Sequence, residues 1–322
     1  MALCSDGSLV AWGLNKSRLK DAYTTSGSFP MLVPRSGLFE GRTVVEIALG
    51  PYHGLARCSD ETLIAWGENG DGQLGNGSTE SAAGPVLVSV AADNGISNGG
   101  SRSVAISADA RFAAFRSSAT DLVDPPAAGL LFLRDRDLDE DGIFDETGPG
   151  ETTTFEFETL GAVSYSPVSL SGNGRYVALL LTDGVETHPY VIDRDADGNG
   201  VFDDAPVGSV QIDLNVFGGP PNNDASAVAM SADGRHVAFD SAASDLTGDF
   251  VAVNNVFVRD RDVDRNGVFD EPGGATTYLV SRSTTGAPAN AQSRLAAVAG
   301  GSPAISADGR FIAYESSATN LI

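Results

Sequence analysis

Apolar and polar residues alternate along this chain in short runs, and the runs break at turn-forming residues instead of continuing at a helical spacing. Four segments repeat one version of the pattern: SVAISADARFAAFRSSATDLV (103–123), PVSLSGNGRYVALLLTDGV (167–185), AVAMSADGRHVAFDSAASDLT (227–247) and SPAISADGRFIAYESSATNLI (302–322). Each reads as two strands around a turn, and the last three carry Asp-Gly or Asn-Gly there. Beyond the turn, apolar residues fall two apart, at Phe112 and Ala114, Val177 and Leu179, Val237 and Phe239, and Ile312 and Tyr314. That spacing suits a half-buried strand. A third strand is predicted at LLFLRDRD, PYVIDRD and NNVFVRDRD, and a fourth at TTTFEFE, SVQIDLNV and TTYLVSRS.

The units recur every 60 to 75 residues. Four antiparallel strands repeated in tandem predict an all-β fold, a β-propeller built of four-stranded antiparallel blades. A stacked β-solenoid is the architectural alternative, although its coils are usually shorter. A different repeat comes first: ALCSDGSLVAWGLN (2–15) returns as ARCSDETLIAWGEN (56–69), 54 residues later. Trp12 and Trp66 align with each other, which marks core packing. Two repeat types are therefore expected, residues 1–92 with about two blades and residues 93–322 with three full units and the start of a fourth. Met1 runs straight into one repeat and the chain stops at SSATNLI within another, so both ends read as cuts in a longer protein.

Composition narrows the partners. A chain of 322 residues that is 42% hydrophobic can bury a sizeable core, and 38 glycines fit short strands joined by tight turns. The net charge of −23 argues against nucleic acid and against an anionic membrane surface, and it favours cations. No apolar run reaches the length of about 18 residues that a membrane-spanning helix needs. Cys4 and Cys58 hold matching places in successive repeats, usually too far apart for a disulfide, so free thiols are expected. The histidines His53, His188 and His236 fall in unrelated contexts, and no nucleophile elbow, Walker loop or zinc-protease motif is present.

The chemistry is concentrated in three acidic segments of equal length and register: DRDLDEDGIFDE (135–146), DRDADGNGVFDD (193–204) and DRDVDRNGVFDE (260–271). Acids or Asn recur at alternate positions, which places their oxygens on one side of a curling loop. The glycine that follows permits a sharp turn with positive φ. Calcium takes about six to eight oxygen ligands, and flexible carboxylate-rich loops supply them. The bland alternative is three solvated hairpin tips whose charge keeps the protein soluble. Phe144, Phe202 and Phe269 are expected to anchor the loops to the blade core.

The residues also carry family resemblances. Leu3, Asp6-Gly7, Trp12-Gly13 and Asn15, then His53, Trp66-Gly67, Asn69, Gly72-Gln73-Leu74-Gly75 and Gly77, resemble the regulator of chromosome condensation repeat. About 90 residues are covered, and the first copy reads KSRLKD where the family has its Gly-Gln-Leu-Gly stretch. The hairpin Ser-Ala-Asp-Gly-Arg, clearest at 231–239 and 306–314, is similar to the TolB-like or WD-like bacterial propeller repeat. Both resemblances imply propellers.

The acidic segments resemble the calcium loops of thrombospondin type-3 and EF-hand-like repeats. That resemblance implies Asp137, Asp139, Asp141 and Asp145 as ligands in the first loop, with the carbonyl of Ile143. It implies Asp195, Asp197, Asn199 and Asp203 with the carbonyl of Val201 in the second, and Asp262, Asp264, Asn266 and Asp270 with the carbonyl of Val268 in the third. The bidentate Glu of an EF-hand is missing, and Glu146, Asp204 and Glu271, or water, are expected to take its place. The expected function is a non-catalytic, calcium-binding propeller module of an exported bacterial protein, extracellular, at the cell surface or periplasmic. It would offer a face to a protein or glycan. The alternative is a propeller hydrolase or lyase acting on glycans or peptides, with acids at the central face.

Overall fold

The repeated Ser-x-Asp/Asn-x-Arg turn is where the sequence dictates its backbone most directly. In each copy the Ser hydroxyl donates to the acid or amide two residues on: Ser107 to Asp109 at 2.5 Å, Ser171 to Asn173 at 2.9 Å, Ser231 to Asp233 at 2.5 Å and Ser306 to Asp308 at 2.6 Å. The same hydroxyl accepts the backbone N–H of the residue five positions on, from Phe112, Tyr176, His236 and Phe311 at 2.9–3.0 Å. The acid or amide accepts the N–H of the Arg two residues further on, at 3.0–3.2 Å. Gly234 closes its turn at φ +76°, a conformation that a Cβ disfavours.

The computed structural model describes residues 2–4, 8–13, 27–32, 42–49, 53–60, 62–67, 86–87, 97–109, 111–123, 131–140, 153–156, 162–163, 168–182, 185–203, 208–249, 253–295 and 305–322. The chain divides into two compact units, residues 1–159 with 299–302, and residues 160–298 with 303–322. The change of repeat type expected at residue 92 falls inside the first.

The first unit holds three antiparallel meanders. One has β1 (Ala2–Leu3), β2 (Leu9–Gly13) and β3 (Gly27–Leu32). The next has β4 (Val44–Leu49), β5 (His53–Cys58), β6 (Leu63–Gly67) and β7 (Val86–Leu87). The third has β8 (Ser101–Ile106), β9 (Phe112–Ser117), β10 (Leu131–Asp135) and β11 (Thr153–Glu156). Phe115 and Phe132, 6.1 Å apart, pack with Ala65 of the preceding sheet. Cys4 and Cys58 are free thiols, and burial raises the Cys58 thiol above its ordinary pKa, opposed in part by a hydrogen bond with Thr62.

The second unit continues the pattern. Its first sheet has β14 (Tyr176–Thr182), β15 (Thr187–Asp193) and β16 (Gly208–Gln211). Two short strands, β12 (Ala162–Val163) and β13 (Ser169–Leu170), share the free edge of β14. Next come β17 (Ala225–Met230), β18 (His236–Ser241), β19 (Asn255–Asp260) and β20 (Thr276–Leu279). A pair formed by β21 (Ser293–Leu295) and β22 (Tyr314–Ser316) follows.

Strand periodicity decides what each face buries. Val237 and Phe239 of β18 join a cluster with Ala178, Leu180 and Val191 of the preceding sheet, while Ala238 between them packs with Leu295 of the following pair and with Ile305, which bridges to Ile312. Backbone bonds also link successive turns, Gly172 N to Ala232 O at 2.7 Å and Ala232 N to Ala307 O at 3.0 Å. No helix occurs among the described residues, and the four-stranded antiparallel meanders are propeller blades, as the sequence predicts.

Candidate functional site

The acidic segments begin at the ends of β10, β15 and β19; one arginine fastens each to the turn beside it, and in the second and third segments another arginine does so as well. The arginine that ends the turn grips the first acid of the loop in a two-pronged pair. Arg111 holds Asp135 at 2.9 and 2.8 Å, Arg175 holds Asp193 at 2.7 and 2.8 Å, and Arg235 holds Asp260 at 2.7 and 2.6 Å. Register explains the meeting, because these acids lie opposite Phe112, Tyr176 and His236, each one residue beyond its arginine. Burial works against the charge of Asp260, yet the Arg235 guanidinium and the N–H of Asp262 hold its carboxyl below the usual range.

The second arginine comes from the loop itself. Arg194 donates to Gly174 O and Arg261 to Gly234 O, both at 2.8 Å, and both side chains are buried. Their other prongs take the acid at the eleventh position of the loop: Arg194 Nη2 to Asp203 at 2.6 Å and Arg261 Nε to Asp270 at 2.7 Å. Arg259 lies 3.5 Å from Asp270 as well. Phe202 and Phe269 lie 4.8 Å from these guanidinium groups, and Phe269 also meets Tyr176 at 5.3 Å, so both rings anchor their loops. Asp203 and Asp270 reach these pairs from a left-handed backbone, at φ +61° and +57°.

The remaining acids curl around the loop. Asp262 is buried and accepts Asn266 N at 3.0 Å and Gly267 N at 3.1 Å, and Asp195 accepts Gly200 N at 3.1 Å. Asn266 accepts Val268 N at 2.7 Å, as Asn199 accepts Val201 N at 2.6 Å. Gly200 and Gly267 both take φ +86°, as their position in the motif predicts. The sixth position, held by Glu140, Gly198 and Arg265, is also left-handed, which the sequence did not reveal.

In the third loop the Asn266 amide donates to Asp264 at 3.1 Å and to Glu271. Partial desolvation, contact with the Asp262 carboxyl and the charge of Glu271 raise Asp264 above the usual carboxylate range. Asp262, Asp264, Asn266 and Glu271 are thus brought together. In the second loop Asp195, Asp197 and Asn199 are brought together, with Asn199 donating to Asp197 at 3.0 Å.

Asp203 and Asp270, expected among the ligands, pair with the buried Arg194 and Arg261. Asp137 is buried and Asp139 exposed, while Asp141, Ile143, Asp145, Glu146 and Asp204 lie outside the described residues. Among the described residues no three His, Cys, Asp or Glu side chains form a ready metal-holding group. The Asn266 side-chain amide lies between the Asp264 and Glu271 carboxylates. An all-oxygen donor set of this kind fits a hard cation such as calcium better than zinc.

Sequence reasoning missed one further buried pair. His188 Nδ1 lies 2.8 Å from Asp213 and its Nε2 lies 3.4 Å from Glu186. Burial opposes the imidazolium, but Asp213 and Glu186 outweigh it and raise His188 above its ordinary value. Burial raises Asp213 as well, against its bonds with Gln211 and His188.

Comparison with known proteins bears on the first unit. Residues 60–114 match a family model described as the Regulator of chromosome condensation (RCC1) repeat, and residues 44–73 match a second of the same description. The RCC1 domain-containing protein RUG3, mitochondrial, of Arabidopsis thaliana is 37% identical over 110 residues, which are 33% of this chain and 24% of that protein. The chain therefore spans about a quarter of that relative. Among solved structures, putative TolB from Agrobacterium tumefaciens is 14% identical over 82% of this chain and 68% of its own, with a TM-score of 0.40. Prp20p from Saccharomyces cerevisiae, described with its binding to Gsp1p and histones, is 12% identical over 87% of this chain and 76% of its own, with a TM-score of 0.42. With the antiparallel blades, the family matches make the chain a β-propeller protein that carries RCC1-type repeats within residues 44–114.

Proposed function

We propose that the chain is a non-catalytic, calcium-binding propeller module that presents a blade surface to a protein or glycan partner. The observation that carries the reading is the third loop, where Asp264 and Glu271 flank the Asn266 side-chain amide, Asp262 accepts the backbone N–H groups of Asn266 and Gly267, and no arginine is bonded to any of the three acids among the described contacts. Calcium would be held there by those carboxylates, with the second loop offering Asp195, Asp197 and Asn199. Asp203 and Asp270 stay outside the ligand set. Each occupied site stabilises the folded state by mass action, by about 2.7 kcal/mol at a hundredfold excess over Kd. An exported setting, with millimolar calcium, suits sites of modest affinity.

The test is a calcium titration followed by thermal melting. The reading expects saturable calcium binding, a higher melting temperature with calcium than with EGTA, and a much smaller response to magnesium, which demands tighter octahedral geometry. A melting curve that calcium and EGTA leave in the same place refutes it.

A further inference from the structure

The connection from β16 to β17 exposes an aromatic ring on a firmly bonded backbone. Phe217 is 91% exposed, against 67% for Phe311 and 47% for Tyr278. Asn215 builds the turn that carries it. Its Oδ1 accepts Phe217 N at 2.9 Å and Gly219 N at 3.1 Å, and its Nδ2 donates to Pro220 O at 2.7 Å. Its backbone closes on Gly218 and Gly219 at 2.9 and 2.8 Å, and Gly218 takes φ +81°. Val216, 52% exposed, ties the turn to the loop after β18 by donating to Asp245 O at 2.9 Å. An apolar tip already fixed in this way loses little conformational freedom when a partner covers it.

The surroundings decide what kind of partner that is. Ile212 N donates to Pro189 O at 2.8 Å and Thr187 N to Asp224 at 2.9 Å, so the β14–β15 hairpin, with Val185 84% exposed and Glu186, lies at the same end of the sheet. Glu186, with His188 3.4 Å away, and Asp224 and Asp245 put negative charge there, while Arg282 pairs with Asp249 at 2.5 Å. Residues 208–234 contain no Lys or Arg. A second copy would set this acidic rim against itself across a twofold axis, and an anionic membrane would repel it.

We infer that this end of the second unit is a docking surface on which Phe217, with Val216, enters an apolar pocket of a partner protein while Glu186, Asp224 and Asp245 meet a Lys- or Arg-lined rim. Charge complementarity of this kind speeds encounter and rejects acidic partners, and a buried aromatic anchor supplies the hold. The inference rests on the reading of the chain as a binding module and names its surface.

A minimal probe is β-cyclodextrin carrying amines around one rim, a ring-sized apolar cavity with a cationic edge. Neutral and sulfated β-cyclodextrin are the controls, and binding to the full chain is read by calorimetry at low salt. The aminated form is expected to bind at least about tenfold tighter than the neutral one, with the preference shrinking as salt rises. Phe217→Ala should remove the binding, and Glu186→Gln with Asp224→Asn should bring the aminated form down to the neutral level. Equal affinity for all three rings, or binding that survives Phe217→Ala, overturns the inference. So does partition onto phosphatidylcholine vesicles, or a dimer that Phe217→Ala splits. Melting of the same proteins with calcium and EGTA separates the two readings, since a retained calcium response with a failed titration removes the docking surface alone.

Discussion

The division of labour among the loop acids is open to a direct test with two substitutions six residues apart. Asp270→Ala removes the partner of Arg261, whose side chain is 3% exposed, and of Arg259, which is 12% exposed. Arg261 keeps its bond to Gly234 O but loses its counter-charge. Breaking one half of a buried pair costs about 3–5 kcal/mol, because the remaining charge is left uncompensated. For a unit of this size that is a fall of about 6–20 °C in melting temperature, and it should appear with calcium and with EGTA alike.

Asp264→Ala should behave in the opposite way. Its carboxylate is exposed and crowded by Asp262 and Glu271, so removing it should leave the melting temperature in EGTA unchanged or slightly higher. What it should remove is the third loop's share of the rise on adding calcium, about 5–11 °C per site at a hundredfold excess over Kd. Calorimetry on the two variants in both buffers gives four numbers that must fall in this pattern. If Asp270→Ala loses the calcium rise while its melting in EGTA stays put, the assignment of Asp270 to Arg261 rather than to the metal is refuted.

Further outcomes follow from the same geometry. His188 has its folded pKa raised above the ordinary 6.5, so its contribution to stability is full below that pH and is lost as pH rises through the folded value. The stability gap between the unaltered chain and His188→Gln, measured by denaturant titration, should therefore narrow above neutrality, where Asp213 and Glu186 no longer face an imidazolium; a gap constant from acid to alkaline pH counts against it. Gly267→Ala meets nothing within 4 Å and pays only for its positive φ, about 1–2 kcal/mol. Gly234→Ala pays the same and also drives its Cβ into the Tyr176 ring, so it should cost about 1–3 kcal/mol more by denaturant titration. Ser231→Ala strands the N–H of His236 and a partner of Asp233 in the turn, with an expected loss of about 1–3 kcal/mol in the same assay.

The strands were legible because their signal is local. Alternation at Val237 and Phe239, and a turn residue every few positions, suffice to place β17 and β18 within a residue or two, and they recur in register three more times. The Asn-Gly pairs of the acidic loops were legible for the same reason, since positive φ at Gly200 and Gly267 is demanded by the loop alone. The arginine contacts were not. Arg175 meets Asp193 across 18 residues and Arg235 meets Asp260 across 25, and only the strand register brings them together. His188 and Asp213, 25 apart, escaped for the same reason.

Counting acids overstates a cation site, because it does not separate charges already answered from those left over. In the third loop Asp260 belongs to Arg235 and Asp270 to Arg261, which leaves Asp264 and Glu271 on the Asn266 amide and Asp262 on the backbone N–H groups of Asn266 and Gly267. Arg265 offsets part of that charge from the exposed apex. In the second loop Asp193 belongs to Arg175 and Asp203 to Arg194, and Arg175 also comes within 3.3 Å of Asp195. Among the described residues only Asp197 then keeps a carboxylate with no arginine bonded to it. Among their described residues the two loops therefore differ in which acids an arginine reaches, since Arg175 comes close to Asp195 while Asp262 is bonded only by backbone N–H groups. The arginines make this economy possible. By neutralising the acids at the first and eleventh positions they pin the loop to the turn, and the repulsion that remains is confined to the acids between and beyond them.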